Sequence, residues 1–242
     1  MTGLARRYTF AASVGVAALY LVGLSPGLVA PGLVAPSLAQ SSARPADAKR
    51  GAAIATQGSA NVPACAQCHV NAVSDSSGGT FPRIAGQPTD YLAKQMHAFT
   101  SPARDNAFMS PIAKALSADE IADVAAHYGS AQGDFSPLPP TDAALVGRGQ
   151  QLARVGDAER RIQACNNCHG PDGAGLPPTI PYLAGQYAQY IAQELRGWKS
   201  GARKTSPDSM AVIAKDLDDQ EIAAVAAFYQ QARVAAGTAV SK

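Results

Sequence analysis

The sequence predicts an all-α fold built as two tandem domains related by internal duplication, and three observations carry that prediction. Blocks in the second half repeat blocks in the first at a nearly constant offset, so the chain is read as a repeat before any single element is assigned. Each half closes on an amphipathic segment that opens with a helix start signal. Neither half shows the two-residue alternation of a strand pair.

The repeat is explicit. Phe81-Pro82-Arg83-Ile84-Ala85-Gly86-Gln87 is echoed ninety-nine residues on by Ile180-Pro181-Tyr182-Leu183-Ala184-Gly185-Gln186, and Tyr91-Leu92 by Tyr190-Ile191. After a two-residue insertion the offset becomes 101: Met109 meets Met210, Leu116 to Ile121 meets Leu217 to Ile222, and Tyr128 meets Tyr229. An opening helix is expected around Asp47 to Thr56 and Ala143 to Val155, and a middle helix around Thr89 to Thr100 and Ala188 to Ser200. The last helix of each half has the clearest signature. Ser117 and Asp218 are N-caps with Glu120 and Glu221 three positions later, a capping box in both repeats. Ile121, Val124, Ala125 and Tyr128, like Ile222, Val225, Ala226 and Tyr229, then follow at i, i+3, i+4 and i+7, the spacing of a core-facing stripe. Between the halves, residues 133–142 are Pro-rich and aperiodic, which reads as a stiff linker. The expected boundaries are therefore 41–132 for the N-terminal domain and 143–242 for the C-terminal one.

All four cysteines fall in two copies of one pentapeptide, Cys65-Ala66-Gln67-Cys68-His69 and Cys165-Asn166-Asn167-Cys168-His169. Two thiols one helical turn apart can each add across a heme vinyl group, and the adjacent imidazole then lies under the iron as its proximal ligand. A tetrahedral zinc or a pair of redox disulfides are the competing uses of Cys-x-x-Cys. With four His in 242 residues, a His after both pairs by accident is a coincidence of about one in several thousand. The reading is two covalently bound heme c groups.

Residues 1–39 read as a targeting segment and are kept out of the fold. Arg6 and Arg7 form a positive n-region, Phe10 to Leu24 is apolar and uncharged, and Ser37-Leu38-Ala39 precedes a small-x-small cleavage point at Gln40. The apolar run is shorter than the ~20 residues of a membrane span, with an uncleaved anchor as the alternative. A twin-arginine signal is the second alternative, but a chain that receives its heme after export crosses unfolded. The repeated Gly-Leu-Val-Ala-Pro at 27–36 is a spacer. Without Arg6 and Arg7 the 20 basic residues fall to 18, matching the 18 acidic ones, and a neutral chain argues against nucleic acid.

The second iron ligand decides what such a site can do, because an iron with two protein ligands is closed and passes electrons only. Outside the motifs the mature chain offers Met96, Met109, Met210, His97 and His127. Met109 and Met210 are repeat partners, 40 residues after His69 and 41 after His169, each in a Ser/Pro-flanked loop. Met96 aligns with Leu195, His97 with Arg196 and His127 with Phe228, so none has a counterpart doing the same job. The expected metal ligands are His69 and Met109 at one iron and His169 and Met210 at the other, with one bis-His site or an open iron as the alternatives. A thioether favours reduced iron, so positive potentials are expected.

Taken together, Cys-x-x-Cys-His, the Pro-x-Leu/Ile-Ala-Gly-Gln-x-x-x-Tyr-Leu/Ile segment and the loop Met before a capped helix, all in duplicate, resemble the diheme cytochrome c4 family over about residues 46–236. The resemblance implies two tandem class I cytochrome c domains packed about a pseudo-two-fold axis. It also implies that the carbonyls of Pro82 and Pro181 accept hydrogen bonds from Nδ1 of His69 and His169. One departure is visible: the second motif continues Gly170-Pro171-Asp172-Gly173-Ala174-Gly175, the usual class I continuation, whereas the first continues Val70-Asn71-Ala72-Val73.

Function follows as an expectation: a periplasmic electron carrier with no catalytic activity, taking electrons from a donor such as the bc1 complex or a dehydrogenase and passing them to a terminal oxidase or similar acceptor. A cytochrome subunit of a sulfide or alcohol dehydrogenase is the second reading. A diheme redox enzyme is the third, opposed by the absence of any cysteine outside the motifs. Arg160, Arg161, Arg196, Lys199, Arg203 and Lys204 form a basic group in the second half that either steers an acidic redox partner or serves as an ordinary solvated helix face or as neutralisation for heme propionates. Trp198, the partner of Phe99, reads as pocket packing or as an electron relay.

Overall fold

In the computed structural model, residues 44–69, 80–132, 138 and 142–233 are described, within a compact unit that spans Ala43–Lys242. The targeting segment, the residues after His69 whose sequence departs from the second motif, and most of the linker lie outside the described residues. The helices are α1 (Ala48–Gln57), α2 (Thr89–Phe99), α3 (Met109–Ala115), α4 (Ala118–Ser130), α5 (Ala143–Arg154), α6 (Asn166–His169), α7 (Ala188–Ser200), α8 (Met210–Asp216) and α9 (Asp219–Gln231), with 3₁₀ turns at Cys65–Gln67 and Pro171–Gly173. Among the described residues there is no strand, only isolated bridges.

The opening and last helices of each half, α1, α4, α5 and α9, start where a side chain takes up an orphan amide. Asp47 accepts from Lys49 N at 2.8 Å, and Asp142 from Ala144 N at 2.7 Å. The capping boxes form in both repeats: Ser117 Oγ accepts from Glu120 N at 3.2 Å while Glu120 accepts from Ser117 N at 2.8 Å, and Asp218 and Glu221 do the same at 2.8 and 3.0 Å. Each such cap contributes about 0.5–2 kcal/mol. One element differs from the sequence expectation. Met109 and Met210 each begin a seven-residue helix instead of lying in a loop. Asn106 Oδ1 accepts from both Phe108 N and Met109 N, at 3.0 and 2.9 Å, and Pro111 falls in the first turn of α3, where its missing N–H is no loss.

The packing repeats as well. In each half the opening helix crosses the last one, α1 on α4 and α5 on α9, at a glycine. A Cβ on Gly51 would lie 2.0 Å from the carbonyl oxygen of Asp123, and one on Gly149 2.0 Å from that of Ala224, so only glycine permits this approach. A buried acid locks each crossing. Asp123, fully buried on α4, accepts from Arg44, Arg50 and the amide of Asp47. In the second half Glu221, on the first turn of α9, receives Arg148 at 2.9 Å and also Arg160. Around α9 lie Leu152, Ile162, Leu195, Leu217, Ile222, Val225 and Tyr229, the larger of the cores.

The Pro-x-x-Ala-Gly-Gln turns pin the end of each last helix and join the halves. Gly86 N donates to Tyr128 O and Gly185 N to Tyr229 O, both at 2.8 Å, from glycines with φ of 78° and 69°. The adjacent glutamines reach across. Gln186 accepts from Arg83 N at 3.0 Å and donates to Arg83 O at 2.8 Å, while Gln87 donates to Tyr182 O at 3.0 Å and accepts from Tyr182 N at 3.2 Å. Because Arg83 and Tyr182 are repeat partners, this is one contact made twice about a pseudo-two-fold axis. Tyr182 Oη adds a bond to Ala85 O at 2.7 Å, and Arg83 Nη1 one to Gly185 O at 3.0 Å.

Candidate cofactor site

Each cysteine motif closes as a single helical turn. His69 N donates to Cys65 O at 2.9 Å and His169 N to Cys165 O at 3.0 Å, which brings the thiols and the imidazole to one side of the backbone. The thiols are free, and among the described residues no three His, Cys, Asp or Glu side chains gather as a metal cluster. The two Cys pairs are thus not brought together on one tetrahedral zinc. Burial pushes the Cys65 thiol up, and the Cys165 thiol up to about 11, so neither is held as a thiolate.

Both histidines are oriented through the nitrogen that faces away from the motif. Nδ1 of His69 lies 2.9 Å from Pro82 O, and Nδ1 of His169 lies 2.9 Å from Pro181 O. A carbonyl only accepts, so Nδ1 carries the proton and Nε2 keeps its lone pair, the form in which imidazole binds a metal. Burial lowers both histidines' pKa values, with the proline carbonyl opposing, and so favours the neutral ring.

In the first half these groups open on a cavity of about 560 Å³, within the range of small-molecule and cofactor sites. Cys65, Cys68, His69 and Met109 all line it, among apolar walls that include Leu92, Phe99, Ile112 and Leu116. Met96 lines the same cavity while packing against the core of Val62, Leu116 and Ile121. His97 is exposed on α2, and His127 lies edge-on to Tyr128, 4.9 Å between ring centres, with its Cβ beside Gly51. Two attaching thiols, a neutral imidazole, a thioether and an apolar wall in one cavity fit a covalently attached heme.

In the second half Cys165, Met210, Ile213 and Trp198 pack against the core around α9. Cys165 Sγ approaches Leu152 O at 3.9 Å, and Tyr229 Oη donates to Asn166 inside the motif at 2.8 Å. Burial and the neighbouring Cys165 keep that phenol protonated.

The sequence matches a family model described as cytochrome c over residues 148–233. It is 42% identical over 194 residues to a thiosulfate dehydrogenase electron acceptor of Stutzerimonas stutzeri, covering 76% of this chain and 87% of that protein. It is also 34% identical over 179 residues to cytochrome c4 of Pseudomonas aeruginosa, covering 73% and 87%. The chain belongs to the diheme cytochrome c4 family. A crystal structure of reduced cytochrome c4 from Pseudomonas stutzeri superposes with a TM-score of 0.66 at 27% identity, covering 78% of this chain and all of that one. A thiosulfate dehydrogenase of Marichromatium purpuratum gives 0.71 at 36% identity, this chain spanning 78% of itself and 41% of that longer protein. Like those cytochromes, the chain has the tandem class I fold, carries covalent heme c and transfers electrons.

Gly51 and Gly149, where the helices of each half cross, stand at equivalent places ahead of the two Cys motifs, a signal present in the sequence. The basic group of the second half is largely engaged internally: Arg160 pairs with Asp218 and Glu221, Arg196 with Asp219, Lys199 Nζ donates to Leu217 O, and Arg203 is buried. That favours the structural reading of those charges over partner steering. Trp198 lies under the Arg203 guanidinium, 3.8 Å from its ring centre, and donates to Thr205 O at 2.6 Å, which is packing.

Proposed function

We propose that the chain is a periplasmic diheme carrier that accepts electrons from a thiosulfate-oxidising dehydrogenase and delivers them to a terminal oxidase or another respiratory acceptor. The observation that carries the reading is the convergence of Cys65, Cys68, His69 and Met109 on one apolar cavity, with the motif repeated in the second half. In this reading Cys65, Cys68, Cys165 and Cys168 hold two hemes by thioether bonds. His69 and Met109 are the ligands of one iron, His169 and Met210 of the other. The hemes supply a ferric–ferrous couple, one electron each.

The protein's own part is to hold, shield and tune. The Pro82 and Pro181 carbonyls fix the imidazole planes and make them more basic ligands. With Met109 and Met210 as second ligands, neither iron would keep a free place for a substrate, and the chain would act as a carrier, not an enzyme. The reciprocal Gln87 and Gln186 bonds support a fixed separation between domains 41–132 and 143–242 joined by linker 133–142, and a fixed separation gives a fixed rate of exchange between them. Residues 1–39 would export the chain as a signal peptide.

The thiosulfate donor is supported by the names of the relatives; the bc1 complex and other dehydrogenases are the competing donors. Oxidised holoprotein mixed with thiosulfate and a purified thiosulfate dehydrogenase should be reduced only when both are present. Reduction by a quinol-fed bc1 complex, with none by that pair, would overturn the donor assignment. A redox titration with visible and near-infrared spectra tests the ligands. Two low-spin hemes, each with the weak sulfur-to-ferric-iron band, are expected; a high-spin component would remove the Met from that half.

A further inference from the structure

Beside the glutamine exchange, the halves meet at a second cluster whose symmetry is broken at one position. Arg104 and Arg203 are equivalent residues that face each other in an antiparallel bridge, reinforced by Lys204 N donating to Ala103 O at 2.8 Å. Each guanidinium stacks on the aromatic ring of its own half, Arg104 on Phe99 at 4.3 Å and Arg203 on Trp198 at 3.8 Å. Both are buried, 7% and 6% exposed.

Their acceptors are not equivalent in charge. α2 supplies Gln95, whose Oε1 accepts from Arg104 at 3.0 Å and from Arg203 at 2.7 Å. At the matching place α7 supplies Glu194, which pairs with Arg104 at 3.0 Å and also with Arg203. Tyr190 Oη accepts from Arg104 at 2.9 Å, and Arg203 Nε donates to Thr205 at 3.0 Å. Desolvation works against the Arg104 charge, but Tyr190 and Glu194 more than offset it and the guanidinium stays protonated.

All of Gln95, Arg104, Tyr190, Glu194 and Arg203 line the cavity that holds His69 and Met109. With Asp105, which lines the same cavity, the two guanidiniums meet two carboxylates and the charges balance. Glutamine at both 95 and 194 would leave one excess positive charge, and glutamate at both one excess negative charge. Positive charge favours adding an electron to a ferric site, so the residue pair at 95 and 194 sets how readily the first-half site is reduced.

We propose that Glu194, set against Gln95, is a potential-tuning residue: its carboxylate holds the first-half site at a lower potential than the symmetric arginine–glutamine cluster would. The proposal rests on the reading of the cavity as a heme site. A unit charge roughly 12 Å from a redox centre, at an effective dielectric of about 20, changes its reduction equilibrium by about tenfold.

The test is an NMR-followed redox titration of the full diheme protein, with heme methyl signals assigned to each half. Glu194→Gln should raise the first-half reduction equilibrium about tenfold, and Gln95→Glu should lower it by a similar factor. Opposite signs are the signature, because a purely structural ion pair would weaken packing in the first variant without that reversal. Shifts in the same direction, or a shift below about twofold in both, would overturn the proposal. If Glu194→Gln fails to fold, Gln95→Glu decides alone. Visible and near-infrared spectra separate the two levels: unmoved potentials with low-spin, sulfur-banded hemes sink the tuning role only, whereas a high-spin first half sinks the ligand reading and the tuning role with it.

Discussion

Two glycines in one helix should respond to the same substitution with opposite signs. On α5, Gly149 faces α9, and an added Cβ would lie 2.0 Å from Ala224 O, 2.5 Å from Ala224 C and 2.7 Å from Phe228 Cβ. Real Cβ contacts do not go below 3.0 Å, so the helices must part by about 1 Å. Two of the obstructing atoms are backbone and cannot rotate away. Parting the helices loosens the contacts of Leu152, Ile222 and Val225 and costs at least the roughly 1–3 kcal/mol of overpacking. Gly147 is exposed two residues earlier, and a Cβ there meets nothing within 4 Å. Gly147→Ala should therefore stabilise by about 0.4–1 kcal/mol through helix propensity and a less free unfolded chain. In thermal unfolding of the holoprotein, about 3 kcal/mol for Gly149→Ala lowers the midpoint by roughly 6–12 °C, while Gly147→Ala raises it by about 1–4 °C. A Gly149→Ala midpoint within 2 °C of the parent, on the order of half a kcal/mol, would refute the close-approach argument.

Other outcomes follow from single contacts. Met109→Ala should let the reduced protein bind carbon monoxide at one heme, read from its visible spectrum, whereas the parent should bind none; a parent that binds it contradicts the closed site. Gln186→Ala removes both bonds to the Arg83 backbone and should cost about 1–3 kcal/mol at the interface in denaturant unfolding, with a tendency to split the transition in two. The Asp218 carboxyl is held below its ordinary 3.8 by the amide of Glu221, with desolvation opposing and Arg160 assisting. A depressed folded pKa gives stability that is complete above the unfolded value and is lost as pH falls below about 3.8 toward the folded one. Asp218→Asn keeps a good cap but not the charge, so its deficit relative to the parent should shrink as pH drops through that window; a deficit unchanged to pH 2 would count against it.

What was legible in the sequence is what local chemistry dictates. The capping boxes at Ser117 and Asp218, the stripes behind them and the cysteine turns all depend on residues within one or two turns, and the structure places them as read. The methionines show the limit: Asn106 nucleates α3 at Met109 through a side-chain cap that a Ser/Pro-rich stretch disguises as a loop. Gly51 and Gly149 were silent because a close approach is a property of two distant helices, not of either sequence. The burial of Arg203 is not legible for the same reason, since Gln95, its bonded acceptor in α2, is 108 positions away. His69 is named by its Cys-x-x-Cys-His motif and Met109 by its repeat partner, whereas the arginine wall that completes the cavity needs both halves in place.

The glutamine exchange has an implication for how such a chain came to exist. A turn whose glutamine reads the backbone of an equivalent turn is self-complementary: any single half already presents both the probe and its target. Two free copies could pair by the same four hydrogen bonds before any linker joined them. Fusion then adds no new contact. It replaces a bimolecular encounter with a tethered one and makes pairing independent of protein concentration. Once tethered, the copies are free to diverge, and Gln95 and Glu194 could become different residues, which two identical subunits could never do.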